Sequence, residues 1–113
     1  MHEMALAEGV LGVIEDAARA QGFERVRTVW LEIGRLAAVE PDALRFSFDV
    51  VKRGTVADAA RIEIVDLPGQ AWCMKCGDTV AIEERGSACP VCGSYQLQVC
   101  GGEDMRVKEL EVV

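Results

Sequence analysis

Four cysteines form two pairs, Cys73-Met74-Lys75-Cys76-Gly77 and Cys89-Pro90-Val91-Cys92-Gly93, with twelve residues between the pairs. Two residues between thiolates let one tight turn direct both sulfurs at a shared ion. The glycine after each second cysteine permits the positive φ that aims backbone N–H groups at sulfur. Two such knuckles, brought together by a short hairpin, give a tetrahedral four-sulfur set suited to Zn(II). Four sulfurs also close the coordination shell, so the ion is expected to be structural, with no position for the catalytic water that a zinc deaminase would need. Trp72-Cys73-x-x-Cys76 imitates a thioredoxin-type redox motif, but that chemistry needs a strand-to-helix setting and leaves the second pair without a task.

A second constellation sits at the other end of the chain. The sole histidine is residue 2. A large residue at that position hinders removal of the initiator, so Met1 and its α-amine are expected to remain. The amine, the backbone nitrogen of His2 and the His2 imidazole can close consecutive chelate rings around one ion, and the Glu3 amide nitrogen would complete a plane. Square-planar nitrogen coordination suits Ni(II) or Cu(II) rather than zinc or magnesium, and chemistry alone does not separate the first two.

The 113 residues suffice for one ordinary domain, or for a small domain carrying a metal-stapled module. Half are apolar, which excludes a disordered tail protein. Twelve Lys and Arg against nineteen Asp and Glu give a net charge of −7, a poor basis for binding nucleic acid or an anionic membrane surface. Cations and basic protein patches suit that charge better. No apolar run has the length of a membrane span, and the start lacks the basic region of a signal peptide. Five cysteines, an odd number in closely spaced pairs, fit metal binding in a reducing cytoplasm.

The elements that must position these groups show in the periodicity. Met4, Ala7, Leu11, Ile14 and Ala18 recur at helical spacing with Val10 and Ala17 beside them, which predicts a first helix from near residue 1 to a stop at Gly22. Glu24 to Gly34 alternates with apolar residues on both faces, as a central covered strand should. Pro41 opens a second helix with Leu44, Phe48 and Val51 inward, Phe46 and Val50 flanking, and Gly54 as its end. Arg61 to Leu67 is a further strand. From Gly69 to Gly102 aliphatic residues are too few for a separate core, so that segment must be held by something else. Met105 to Val113 reads as a last strand whose apolar phase slips, through a bulge or a change of neighbours. The expected fold is α+β: two helices on a three-stranded mixed sheet, formed by residues 1–68 and completed by 103–113, with an inserted four-cysteine zinc-ribbon domain at 69–102. Pro68-Gly69 and Gly101-Gly102 are expected hinges. Cys100 reads as a small buried residue at a strand start.

Taken together these features resemble the HypA/HybF family, nickel metallochaperones of nickel–iron hydrogenase maturation. The resemblance runs end to end: Met1-His2-Glu3-Met4, Gly34-Arg35-Leu36, Val39-Glu40-Pro41-Asp42-Ala43-Leu44-Arg45-Phe46, Gly54-Thr55, both knuckles, and Gly101-Gly102-Glu103-Asp104-Met105. It implies nickel bound by the Met1 amine, the backbone nitrogen and imidazole of His2, and the Glu3 backbone nitrogen. It implies structural zinc on Cys73, Cys76, Cys89 and Cys92, with no departure from the family's zinc pattern. It also implies a non-enzymatic carrier in the cytoplasm, passing nickel to a partner GTPase, HypB, and onward to the hydrogenase large subunit, with urease served by some members. Monomer and homodimer both remain open. The competing readings are a zinc-ribbon protein–protein adaptor with no nickel role and a thiol oxidoreductase using Cys73 and Cys76.

Overall fold

The structure, a computed structural model, describes residues 2–113. Among them the order is α1 (His2–Gln21), β1 (Val26–Gly34), α2 (Pro41–Val51), β2 (Arg61–Leu67), β3 (Gly69–Cys73), β4 (Asp78–Ile82), β5 (Leu97–Gly101) and β6 (Met105–Val112). In α1 the predicted stripe is the buried one, with Ala7, Val10 and Ile14 innermost. Gly22 stops it: at φ 77° its N–H donates to the Ala18 carbonyl, a left-handed cap that a side chain would disfavour. Glu40 is the N-cap of α2, its carboxylate accepting from the Asp42 N–H at 3.2 Å, and Pro41 follows where its missing donor costs nothing. This helix ends at Val51, capped by the Lys52 N–H on the Phe48 carbonyl, so Gly54 turns the loop beyond it instead of ending it. Phe46, expected beside the inner stripe, is 69% exposed.

One sheet has the order β2-β1-β6, so β1 is the central strand that its two apolar faces required. At the exits of β1 and β2 the Arg35 N–H donates to the Leu67 carbonyl, as parallel neighbours demand. The Gly34 N–H to Asp104 and the Val113 N–H to Arg25 run β6 antiparallel to β1. The sheet is mixed. The phase slip in β6 falls at Lys108 and Glu109, both exposed, after which Glu111 is half-buried. Its carboxylate accepts from the hydroxyl of fully buried Thr28 at 2.8 Å, so the slip satisfies a polar group in the core.

The second sheet, β4-β3-β5, is antiparallel and was not legible in the sparse aliphatic pattern. A bulge near Gln70/Ala71 leaves Cys100 between Val99 and Gly101 without a cross-strand partner position, and it is exposed, contrary to the buried position expected. The core under this sheet is Ala71, Cys73, Val80, Ile82 and Cys89 together with Leu36. That last residue explains the partition of the chain. One compact unit comprises the residues up to Leu31, Val39–Val65 and Arg106–Val113, and the other Glu32–Ala38 and Asp66–Met105. The Gly34–Leu36 turn thus folds with the cysteine segment and adds a large aliphatic side chain to its small core.

Within that second unit the glycine junctions are close backbone approaches. A Cβ on Gly34 would collide with the Gly102 carbonyl, and one on Gly102 with that of Pro68; the Leu36 N–H donates to Gly102 O at 2.8 Å. Gly102 also sits at φ 76°. Gly9, in the interior of α1, has nothing among the described residues within 4 Å of an added Cβ. Gly34→Ala is therefore expected to cost about 3 kcal/mol or more, and Gly9→Ala to stabilise by about 0.5–1 kcal/mol. Urea unfolding of the metal-loaded protein checks both signs.

Candidate functional site

The knuckles form where strands end in tight turns. β3 stops at Cys73; the Gly77 N–H, at φ 67°, returns to the Cys73 carbonyl at 2.8 Å, and β4 departs in register with Cys73 opposite Asp78. The second knuckle repeats the geometry: the Gly93 N–H, at φ 77°, donates to the Cys89 carbonyl at 2.8 Å. Backbone amides face sulfur in both, Cys76 N–H to Cys73 Sγ at 3.3 Å and Val91 N–H to Cys89 Sγ at 3.4 Å. Pairing of β5 on β3, with Leu97 opposite Cys73, brings the second knuckle onto the first.

The four sulfurs lie within 4.8 Å of one another, with Cys73 to Cys92 at 3.6 Å and Cys76 to Cys89 at 3.9 Å. A tetrahedral ion with bonds of about 2.3 Å to sulfur needs sulfurs about 3.8 Å apart. The donor set and its spacing therefore fit a tetrahedral, thiolate-seeking dication with a closed shell. Electrostatics agree. Amides of Cys92 and Val91 pull the Cys89 thiol down to about 7, while the Cys92 sulfur sharing its proton pushes Cys76 up to about 12. Protons alone leave such a cluster partly un-ionised, whereas a dication lets all four thiolates ionise and neutralises half of their charge. Cys73-x-x-Cys76 leads from strand to strand, not from strand to helix, so the oxidoreductase setting is missing.

The N-terminal residues occupy the first turn of α1. The His2 side chain is 54% exposed, and its Nε2 lies 3.5 Å from the Glu3 carboxylate. Met1 falls outside the described residues. Glu3, by contrast, is largely covered, and its Oε2 accepts from the Glu40 N–H at 3.3 Å. That amide is the main reason its carboxyl lies below the usual carboxylate range. The start of α1 is thereby tied to the N-cap of α2. The only sequence signal for this role of Glu40 is its place before the proline that opens a helix.

Residues 1–112 match the family described as "Hydrogenase/urease nickel incorporation, metallochaperone, hypA". The chain belongs to the HypA family. Hydrogenase maturation factor HypA of Azotobacter chroococcum mcd 1 is 61% identical over 112 residues, 99% of each chain. The protein of that name from Albidiferax ferrireducens is 63% identical, again over 99% of each. The fold matches the solution structure of the Ni metallochaperone HypA from Helicobacter pylori at a TM-score of 0.72 and 22% identity, covering 100% of this chain and 98% of that one. As a family member the chain is a hydrogenase maturation factor of nickel-metallochaperone type. No helix among the described residues is long and apolar enough to cross a membrane.

Two outcomes are expected. The metal-loaded protein should titrate one thiol, Cys100, and all five after a chelator removes the ion; a count of five without chelator would contradict the closed site. In the metal-loaded protein Glu3 stabilises the fold above the ordinary carboxylate range, and that contribution is lost as pH falls through its lowered pKa. Glu3→Gln should flatten this part of the stability–pH profile.

Proposed function

We propose that the chain carries Ni(II) at its N-terminus, on the Met1 amine, the backbone nitrogen and imidazole of His2, and the Glu3 backbone nitrogen. The observation that carries the reading is the exposed His2 on the first turn of α1 in a member of a nickel-metallochaperone family. The first N–H groups of an α-helix have no intrahelical acceptor, so ionising the amides of residues 2 and 3 breaks no helical hydrogen bond. Deprotonated amides and a neutral imidazole in one plane favour a d⁸ ion. An imidazole in open solvent, on a chain end, also lets the metal depart to a recipient. Cargo needs such an exit; a closed sulfur cage offers none.

Cys73, Cys76, Cys89 and Cys92 hold structural Zn(II), which supplies the cross-link between the two knuckles. The nickel-binding domain is residues 1–68 completed by 103–113, and the zinc ribbon is 69–102 with Leu36 in its core. The protein is no enzyme. Its nickel passes in the cytoplasm to the GTPase HypB and then to the hydrogenase large subunit, with urease as a further client, from a monomer or homodimer.

His2→Ala tests this. In the zinc-loaded protein it should abolish the one-equivalent nickel isotherm while leaving zinc content and thiol masking intact. Nickel binding unchanged by the substitution would move the site elsewhere. If neither protein binds nickel, the adaptor reading takes its place. Wild-type affinity should fall steadily on acidification, because protons compete for the imidazole, the amine and the amides.

A further inference from the structure

We infer that the cleft between the end of α2 and the start of β2 binds a phosphate group, free or borne on a larger molecule. Arg45, Lys52 and Arg61 line this cleft with Asp49, Ala60 and Ile62. Three cations against one carboxylate give the lining a local charge of +2 in a chain whose net charge is −7. Such a concentration of positive charge on an acidic protein attracts anions locally while the rest of the surface repels them.

Two of the three cationic heads are held by the protein before any ligand arrives. Arg45 Nη1 donates to the Ile62 carbonyl at 2.6 Å, and Lys52 Nζ to the Ala60 carbonyl at 2.7 Å. Lys52 is only 17% exposed, pairs with Asp49 at 3.0 Å and lies 5.9 Å from the Phe48 ring centroid. These contacts clip the 52–62 loop to α2, and the same clips remove most of the side-chain entropy that binding would otherwise cost. A guanidinium has five donors, and Arg45 directs one at Ile62. Arg61 stands exposed, with Glu63 at 3.5 Å as its carboxylate neighbour. Two planar forks and an ammonium around one cleft suit a tetrahedral oxyanion, and with Glu63 counted beside Arg61 the cations still exceed the carboxylates by one. The cleft holds about 210 Å³. That is below the range of roughly 300–1,000 Å³ for pockets that enclose whole small molecules, so one phosphate group fits and a complete cofactor does not.

The test is an amide-shift titration of the zinc-loaded full chain without nickel, so its outcome is independent of the nickel reading. Inorganic phosphate is added at constant ionic strength, with chloride as the control. Saturable shifts at residues 45–62 are expected with phosphate alone. Arg45→Gln should weaken binding about tenfold or more, as loss of a charged hydrogen bond does. Arg61→Gln, at the rim and outside the loop clips, should weaken it in the same direction without disturbing the fold. A parallel titration with glycerol phosphate separates the sources: tighter binding than inorganic phosphate means a phosphorylated ligand, equal or weaker binding means the free ion. Shifts that chloride reproduces, that fail to saturate, or that survive both substitutions overturn the inference.

Discussion

Four sulfurs held within 4.8 Å of each other are the constraint on which the second half of the chain depends. Thiolates at that spacing repel, and thiols compete for protons, as the opposed shifts of Cys76 and Cys89 show. The backbone is arranged around this problem. Left-handed glycines at 77 and 93 turn the amides inward, and the three short strands bring one knuckle onto the other. The hydrophobic contribution is small: six buried residues, two of them cysteine ligands and one, Leu36, from the β1–α2 turn. With so little apolar surface, an ion bound by the four sulfurs would be the dominant cross-link of that unit.

The N-terminal constellation follows the opposite logic. His2 is exposed, the nitrogens proposed to hold nickel lie at a helix start, and the neighbouring Glu3 is anchored through the Glu40 amide. On the proposed reading, the sulfur cage retains an ion and the helix start surrenders one. The difference lies in closure, since the sulfur cage surrounds its ion while the helix start offers ligands from one side.

Much of this was legible in the residues. The spacing of the cysteines announced both knuckles and their glycines. The two-faced apolar pattern of Glu24 to Gly34 marked a central strand, and the inner stripes of both helices were placed correctly, while Phe46 and Val50, read as flanking the second, lie exposed. What stayed hidden depended on contacts between distant segments. Strands β3 to β5 carry too few aliphatics to show a period, and pair because the sulfurs and Leu36 gather them. The slip in β6 became intelligible only through Thr28, whose buried hydroxyl calls Glu111 inward. Gly102, in the expected Gly101-Gly102 hinge, is also a place where backbones touch, against Pro68 and Gly34, a contact that no local pattern announces. Cys100 was misjudged because a bulge, invisible to periodicity, turns it outward.

The central claim is that the free chain end itself binds nickel. Calorimetric titration of Ni(II) into zinc-loaded protein with its native N-terminus, beside a version with one extra residue before Met1, tests it most directly. The account predicts about one equivalent bound by the native chain and loss of that binding in the extended chain, whose amine no longer closes a chelate ring with His2. Equal binding by both would contradict it and place the nickel elsewhere.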